Sequence, residues 1–329
     1  MAIEDTYRLP FDQFQRYRLV AEATPILEGE GPKKTILEAG GYPPRLRDFL
    51  PEHKITTVDR IECSEPDYVC ASAVALPFPD KNFGIALSLD TLEHVPPADR
   101  DRFLGELCRV SESYVIVAAP FASEAVKAAD RAIFEFIRDL SGYEHPYLKE
   151  HLELEPPDLV ATVAKMADAG LDVQVIPSGR LDRWMMMMAA YYTLDADPDL
   201  KASLPFFMEA YNRAFYAFDK AEPAYRHFLI GAYQGLGKRW SLLAELASGE
   251  AAEKADTRGM ELVMELARVT ALKRKDRELA GLSSALRSRE DELASLRDHV
   301  RELEDFAVKV KSLPLYRFYE RFVKPLRSS

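Results

Sequence analysis

Cysteine is scarce in this sequence, which has only Cys63, Cys70 and Cys108 among its 329 residues. These cysteines show no C-x-x-C spacing and lie in or beside apolar runs, so we expect buried, reduced thiols and a cytoplasmic protein. The chain also lacks a signal-peptide-like apolar segment at its N-terminus and any apolar run long enough to cross a bilayer. These absences argue against secretion and against a membrane span.

A surplus of basic residues is absent as well. Lys and Arg number 43 against 54 Asp and Glu, which gives a formal net charge of −11. Because broad binding to nucleic acids needs a net basic surface, we expect no nucleic-acid partner. Hydrophobic residues make up 47% of the chain, which is enough to build the buried core of a globular protein.

The segment 35–121 alternates strand-like and helical patterns. The short apolar runs that predict strands are "TILEA", "KITTVD", "GIALSLD" and "SYVIVAAP". Between the last two, "ADRDRFLGELCRV" has apolar residues at helical spacing, and "FDQFQRYRLVAEATPIL" predicts a helix before the first strand. Alternating strands and helices predict a parallel sheet with right-handed crossovers, which is a doubly wound, Rossmann-like α/β fold.

The rest of the globular part is more helical. We predict two helical insertions, at about residues 122–155 and 177–224, separated by a helix and the strand "LDVQVI". A last strand is predicted at "YRHFLIGAYQ". The globular domain therefore covers residues 1–237, and a linker is expected at 238–260.

A heptad pattern follows the linker. Residues 261–310 contain no proline, and from Leu279 to Val310 seam residues recur at alternating steps of three and four, with Arg289 and Ala307 filling two of the seam positions. This pattern predicts a coiled coil and self-association of the chain.

The tail 311–329 interleaves basic and aromatic residues. We expect either peripheral contact with an anionic membrane or packing of the tail back onto the coiled coil.

Polar and small residues follow the predicted strands. Glu38, Gly40 and Gly41 lie at the end of the first strand, and Asp59 ends the second. Ligands of doubly wound sheets bind beyond the carboxyl ends of the strands. Glycines let a ligand approach the backbone closely, and the two carboxylate oxygens of Asp59 can accept hydrogen bonds from both hydroxyls of a ribose.

Four stretches carry a resemblance to a known family, namely "ILEAGGYPPRL", "TTVDR", "ALPFPDKNFGIALSLDTLEHV" and "YVIVAAPF". In order and spacing they resemble class I S-adenosylmethionine-dependent methyltransferases, most of all the broad branch that acts on small molecules and glycan-pathway intermediates. The resemblance implies S-adenosyl-L-methionine as cofactor. It also implies a set of cofactor-binding residues, which comprises Glu38, Gly40, Gly41, Asp59, Ser72, Ala73 and Leu89.

The sequence departs from the family pattern at four positions. Tyr42 and Pro44 stand where the family has glycines, Ser72 stands where it commonly has aspartate, and Gly84 stands where it often has aspartate. A nicotinamide-dinucleotide fingerprint fits less well, because Tyr42 also occupies the glycine that such a motif needs for the pyrophosphate.

Candidate acceptor residues lie further along the chain. His94, just after the strand "GIALSLD", is predicted to act as a general base or to contact the acceptor, and the alternative is a loop histidine bonded to the backbone. Glu144, His145 and His151 in "YEHPYLKEH" are predicted to bind the acceptor, and the alternative is a surface turn with helix-capping carboxylates. His145 and His151 are six residues apart with Pro146 between them, which is no recognised ligand spacing, so we expect no metal.

The sequence thus predicts a methyltransferase that transfers a methyl group from S-adenosyl-L-methionine to a small-molecule or glycan-pathway acceptor. The alternative is a degenerate methyltransferase fold that serves as an oligomeric scaffold or binding protein.

Overall fold

The computed structural model describes residues 3–247, 258–312, 314–318 and 320–321. The chain divides into two units, Met1–Met264 and Glu265–Ser329.

The first unit is built on one seven-stranded sheet. Its strands are β1 Ile36–Ala39, β2 Ile55–Asp59, β3 Tyr68–Cys70, β4 Phe83–Leu89, β5 Ser111–Ala119, β6 Asp172–Arg180 and β7 Ala224–Ala232. They lie in the order β3-β2-β1-β4-β5-β7-β6, and β7 alone runs antiparallel to its neighbours. The strand order changes direction between β1 and β4, so a ligand crevice is expected at their carboxyl ends. The doubly wound, Rossmann-like fold predicted from the sequence is confirmed.

Helices connect and cover the strands. They are α1 Ile3–Thr6, α2 Phe11–Glu28, α3 Leu46–Phe49, α4 Arg100–Val110, α5 Glu124–Ser141, α6 Pro146–Glu153, α7 Leu159–Asp168, α8 Leu181–Ala196, α9 Pro198–Lys201, α10 Leu204–Phe215, α11 Arg239–Ala247, α12 Arg258–Ser312 and α13 Pro314–Phe318. Short 3₁₀ turns occur at Leu92–His94, Pro97–Asp99 and Tyr216–Phe218. The two predicted insertions correspond to α5 with α6 and to α8 through α10.

The core lies on both faces of the sheet. Successive side chains of a strand point to opposite faces, so Ile36 of β1 packs with α2 while Leu37 packs on the side of α4. All seven residues of β4 are buried, as expected for a central strand covered by helices on both faces. A third apolar cluster joins the insertions, where the ring of Trp184 stacks on that of Tyr225 with centroids 3.6 Å apart.

Three sequence-based expectations differ from the structure. The short strand β3 was not identified, because three residues are too few to show a period. Strand β6 extends through Arg180, so the second insertion begins there and not at residue 177. Helix α11 lies in the predicted linker, and its Leu243 is fully buried in the core cluster, so the globular domain continues past residue 237.

The prediction of buried thiols is wrong for two of the cysteines. All three are free in the part of the chain that the structure describes, but Cys70 is exposed and Cys63 is half-buried. Only Cys108 is buried, on the inner face of α4. Cys70 ends β3, which pairs with β2 alone at the edge of the sheet, so little covers its side chain.

The second unit contains a long helix where the heptads predict one. Seven apolar residues of the predicted seam are each more than half exposed, namely Leu279, Leu282, Leu286, Leu293, Leu296, Val300 and Leu303, whereas Val310 at the end of the seam is half-buried. The side chains of residues 258–274 and much of the tail, including all of 322–329, lie outside the described residues. Among the helices described, none combines the length and apolar character needed to cross a membrane.

Candidate functional site

The carboxyl ends of β1, β2 and β4 meet at one edge of the sheet. The amide of Gly40 donates a hydrogen bond to the carbonyl of Val58 (2.7 Å), and the hydroxyl of Thr91 donates to the carbonyl of Gly40 (3.3 Å). These bonds hold the turn after β1 between the ends of its two neighbours, at the expected ligand crevice.

The two glycines of this turn pack against the protein's own side chains. Gly40 has a φ of +80°, a conformation that other residues rarely adopt, and a Cβ there would lie 2.3 Å from the hydroxyl of Thr91. At Gly41, a Cβ would lie 2.4 Å from the carboxyl carbon of Glu38. Internal packing therefore requires a residue without a side chain at both positions. The sequence suggests a different reason for these glycines, namely that they let a ligand approach the backbone closely.

Asp59 ends β2 and is half-buried at this edge. Its Oδ2 accepts a hydrogen bond from the amide of Tyr42 (3.3 Å), and its Oδ1 accepts one from the amide of Ile61 (3.1 Å). A carboxylate oxygen offers about two lone-pair sites, so each oxygen can still accept a bond from a hydroxyl.

Two further predicted cofactor residues lie near Asp59. The carbonyl of Asp59 accepts a hydrogen bond from the amide of Ala71 (2.9 Å), which fixes the loop that carries Ser72 and Ala73 beside it. Leu89 is the last residue of β4 and is buried in the core cluster on the side of α2.

Glu38 is a buried carboxyl group below the glycine turn. Burial raises its pKa to about 8, although Arg16 and hydrogen bonds from Tyr17 and Thr57 act in the opposite direction. The hydroxyl of Thr57 lies 3.5 Å from its Oε2. Glu38 is therefore largely protonated at neutral pH.

Asp90 forms an ion-pair network directly after β4, in which Arg226 is buried and Asp90 and Arg16 are half-buried. One of its oxygens accepts a hydrogen bond from Nε of Arg226 on β7 (2.9 Å), and the other accepts one from Nη1 of Arg16 on α2 (2.8 Å). Burial alone would raise the pKa of Asp90, but the two guanidinium groups outweigh it and hold the pKa below its usual value. Nε of Arg16 has no hydrogen-bond partner among the residues described.

Sequence reasoning missed this network. Asp90 follows a strand just as Asp59 does, and Arg226 is a charged residue within an otherwise apolar strand. Those two signals could have identified both residues, whereas nothing in the pattern of α2 marks Arg16.

A second group of polar residues lies where the 3₁₀ turn after β4 meets α6. Nδ1 of His94 lies 2.7 Å from a carboxylate oxygen of Glu150, and the ring of His94 is 4.9 Å from that of His151. Nδ1 of His151 lies 3.1 Å from Oδ2 of Asp130, whose other oxygen accepts a hydrogen bond from the hydroxyl of Tyr225 (2.8 Å). The hydrogen-bond partner of His94 is thus a carboxylate.

Different surroundings set the protonation of these two histidines. Burial and the neighbouring His151 lower the pKa of His94. Burial also acts to lower the pKa of His151, but the hydrogen bond to Asp130 and the nearby Glu93 raise it above its usual value. The carboxyl of Glu93 is buried beside both rings, and burial together with Asp90 raises its pKa to about 8.

The three predicted acceptor residues do not lie together. His151 joins His94, whereas Glu144 is exposed and pairs with Lys149 (2.8 Å). His145 caps α6 by accepting a hydrogen bond from the amide of Leu148 (3.2 Å). Its ring lines an open pocket of about 430 Å³, formed by Ser141, Tyr143, His145, Tyr191, Tyr192, Asp195 and Ala196.

Part of the first unit matches a known protein family. Residues 49–118 match the model of a methyltransferase domain. The matched segment contains Asp59, Ser72, Ala73, Leu89 and His94, and it leaves out Glu38 and the glycine turn. No curated protein sequence matches the chain significantly.

Several solved structures are similar over much of their length. A SAM-dependent methyltransferase from Thermotoga maritima is 16% identical, with 67% of this chain and 91% of that chain covered and a TM-score of 0.39. The YcgJ protein from Bacillus subtilis is 13% identical (61% and 92% covered, TM-score 0.36). Magnesium protoporphyrin IX methyltransferase from Synechocystis, with bound SAM, is 10% identical (67% and 79% covered, TM-score 0.39). Similarity this distant says nothing about the activity of the chain.

Strand order and the matched segment agree on the class of fold. The sheet of the first unit, with its antiparallel β7 between β5 and β6, is that of a methyltransferase-like Rossmann domain. The matched segment covers β2, β3, β4 and most of β5 of the same sheet.

We predict that Asp90→Asn destabilises the protein by about 3–5 kcal/mol, because it leaves the buried guanidinium of Arg226 and the half-buried one of Arg16 without their counter-ion. Asparagine tolerates the positive φ of this position (+49°), so the change removes charge without straining the backbone. Unfolding by denaturant measures the loss.

The matched control is Asp80→Asn. Asp80 also lies 2.9 Å from an arginine, Arg109, but its side chain is 75% exposed, so the loss should stay below about 1 kcal/mol. Equal, small losses in both variants would show that the Asp90 network contributes little to stability.

Proposed function

We propose that the protein is an S-adenosyl-L-methionine-dependent methyltransferase. The observation that carries the proposal is the carboxylate of Asp59, which ends β2 beside the glycine turn with lone pairs left on both oxygens. It lies in the segment that matches a methyltransferase domain.

The residues at this edge fit the parts of the cofactor. Asp59 would accept hydrogen bonds from the ribose hydroxyls, and Ser72 and Ala73 would face the adenine. Glu38 would meet the amino group of the methionine portion, and the unpartnered Nε of Arg16 suits its carboxylate. When bound, the cofactor supplies a methyl group on a positively charged sulfur.

His94 is the proposed acceptor-side residue. Its lowered pKa favours the neutral imidazole, and a proton on Nδ1 would be held by Glu150. The lone pair on Nε2 is then available to take a proton from an acceptor hydroxyl.

The pocket around His145 supports an acceptor with an apolar or sugar-like surface. Tyr143, Tyr191 and Tyr192 present rings to it, and Asp195 adds a carboxylate for hydroxyl or amino groups. The ring of Tyr147 lies 5.2 Å from His94 and 5.9 Å from His145, which links the pocket to the proposed base. We therefore propose a small-molecule or glycan-pathway acceptor.

We predict micromolar binding of S-adenosylmethionine and of its demethylated product in calorimetry. Asp59→Ala removes the acceptor of two ribose hydroxyls and should weaken binding by about 1–3 kcal/mol, or roughly 5- to 150-fold. Glu62→Gln, an exposed carboxylate three residues on, is the control and should bind as the unmodified protein does.

Absence of binding in the unmodified protein would instead support the alternative function, an oligomeric scaffold or binding protein. The observation that favours this alternative is the filled space at the turn, where Thr91 and Glu38 occupy the volume beside Gly40 and Gly41. Unchanged affinity in Asp59→Ala would remove that residue from the site.

Cofactor binding at pH 7 should also release a proton from Glu38. The pKa of this carboxyl is raised to about 8 by burial, so the group is mostly protonated before binding. A cationic amino group beside it favours the carboxylate and lowers the pKa, so affinity should rise between pH 6 and pH 7.5. Calorimetry in buffers of different ionisation enthalpy should detect up to about one proton per cofactor.

In Glu38→Gln this release should vanish. If the binding enthalpy of the unmodified protein is the same in all buffers, Glu38 does not change its protonation when the cofactor binds. Glu38 would then not contact the amino group of the cofactor.

We further propose that α12 mediates self-association. Residues 279–310 form a seam about 48 Å long on a helix whose apolar seam side chains are exposed, and such a seam matches a second copy of itself. Arg289 occupies one seam position and pairs with Glu292 of its own helix (2.7 Å), so it weakens the seam and leaves the number of chains open.

The test is a pair of double variants in the full chain. Leu286→Glu with Leu293→Glu places charges in the seam and should reduce an oligomer, most simply a dimer, to a monomer in light scattering. Ser288→Glu with Ser295→Glu adds the same charge two residues further on, outside the seam, and should leave the mass unchanged. An oligomer that survives the seam variant would have its interface elsewhere.

A cytoplasmic location, with peripheral membrane contact through the basic and aromatic tail, remains part of the proposal. Its support is compositional, from Arg317 and Arg321 among aromatic residues and from the tail beyond residue 321, which lies outside the described residues.

A further inference from the structure

We propose that Glu93, His94 and His151 form a binding site for a divalent transition-metal ion. One ligand atom from each residue lies within 4.8 Å of the others, and the site holds no ion. The proposal does not depend on the methyltransferase activity, because the evidence for it is the arrangement of the three side chains.

Both imidazoles are oriented as metal ligands usually are. The ring nitrogen of a metal-bound histidine that does not bind the metal almost always donates a hydrogen bond to a carboxylate or carbonyl oxygen. Nδ1 of His94 lies 2.7 Å from Glu150, and Nδ1 of His151 lies 3.1 Å from Asp130. These two carboxylates leave Nε2 of each ring as the atom that can bind a metal.

Two polar atoms of the site are buried without partners. Nε2 of His151 and Oε2 of Glu93 have no hydrogen-bond partner in the described part of the chain. The side chain of His151 is 8% exposed and that of Glu93 is 3% exposed. Buried polar atoms are normally satisfied, so two such atoms side by side indicate that something binds between them.

The surrounding charges leave room for a cation. Arg226 is engaged by Asp90, and the guanidinium of Arg100 donates to backbone carbonyls, among them that of Glu93 (3.4 Å). Neither supplies a partner for the carboxylate of Glu93. His94 is the most accessible of the three ligands, with 20% of its side chain exposed, and gives an ion a route from solvent.

Small movements would complete the coordination. Nε2 of His94 lies 4.0 Å from Oε1 of Glu93. Zinc binds nitrogen and carboxylate oxygen at roughly 2.0–2.2 Å, which places neighbouring ligand atoms about 3–3.5 Å apart. The ligand atoms would therefore have to approach one another by roughly 1–2 Å, which rotation of the side chains can supply.

The donor set selects the class of ion. Two imidazoles and one carboxylate suit Zn²⁺ and its neighbours Mn²⁺, Fe²⁺ and Co²⁺, whereas Mg²⁺ and Ca²⁺ prefer oxygen ligands. Three protein ligands leave a coordination position open. If the proposed function holds, that position would bind the acceptor hydroxyl and lower its pKa so that its proton could pass to water, and His94, with Nε2 on the metal, would then be a ligand and not the base.

The sequence concealed this site. In the sequence the spacing of His145 and His151 argues against a metal site, whereas in the structure His151 lies beside Glu93 and His94 instead of His145. These residues precede His151 by more than fifty positions, so only the packing of α6 against the turn after β4 brings them together.

Titration calorimetry with Zn²⁺ alone tests the site in the full chain, after chelation and dialysis, without cofactor or acceptor. We expect one site per chain, weakened at least about 100-fold by His151→Ala or Glu93→Gln. Glu150→Ala removes only the partner of His94 and should weaken binding about 10- to 100-fold. Mg²⁺ should not compete.

His145→Asn is the matched control. It removes a histidine from the same helix while keeping a residue that caps it, so Zn²⁺ affinity should not change. Exposed groups such as Cys70 and His299 could also hold zinc. A Zn²⁺ affinity that is the same in His151→Ala, Glu93→Gln and the unmodified protein would overturn the proposal, as would no binding at all.

Substitution of Co²⁺ in the unmodified protein covers the case in which a variant fails to fold. Nitrogen and oxygen ligands should give visible d–d absorption without the thiolate charge-transfer band that cysteine ligation produces. A thiolate band, or a spectrum equal to that of hydrated Co²⁺, would contradict the proposed ligands.

Discussion

The carboxylate of Asp90 is the contact on which both halves of the site depend. It ties the end of β4 to Arg226 of β7 and Arg16 of α2, three elements far apart in sequence. Burying charged groups is unfavourable unless each is paired, so the arrangement is stable only with all three in place. Since Thr91, Glu93 and His94 follow Asp90 directly, the same network sets the position of the turn that contacts Gly40 on one side and α6 on the other.

The helical insertion between β5 and α7 positions the histidines that we propose for the acceptor side. Helix α6 supplies Glu150 and His151, which contact His94 in the turn after β4, and α5 supplies Asp130, which holds His151. A plain doubly wound sheet would leave His94 as a solvated loop residue. Here carboxylates orient the rings of both histidines, which prepares their remaining nitrogens either for a proton or for a metal ion. The insertion thus converts a strand end into a site with defined chemistry.

The sequence predicts most strands of the sheet, because the period of a strand is a local signal, and it predicts which residues follow those strands. It fails where the outcome depends on packing between distant segments. In the sequence Leu243 belongs to a predicted linker, but in the structure it lies on α11 and is buried in the core. Glu93 has the sequence context of an ordinary loop carboxylate, but its side chain is buried. Asp59 was found because it ends a strand, and Arg16 was missed because its role comes from Asp90.

The glycine turn has less bearing on cofactor binding than its motif suggests. Gly40 and Gly41 are required by Thr91 and Glu38 whether or not a cofactor binds, so they would be needed in an enzyme and in a scaffold alike. Tyr42 and Pro44 in place of family glycines therefore do not by themselves decide between the two functions. Asp59 does bear on that choice, since its two backbone hydrogen bonds leave half of its accepting capacity unused at the edge where a ribose would lie.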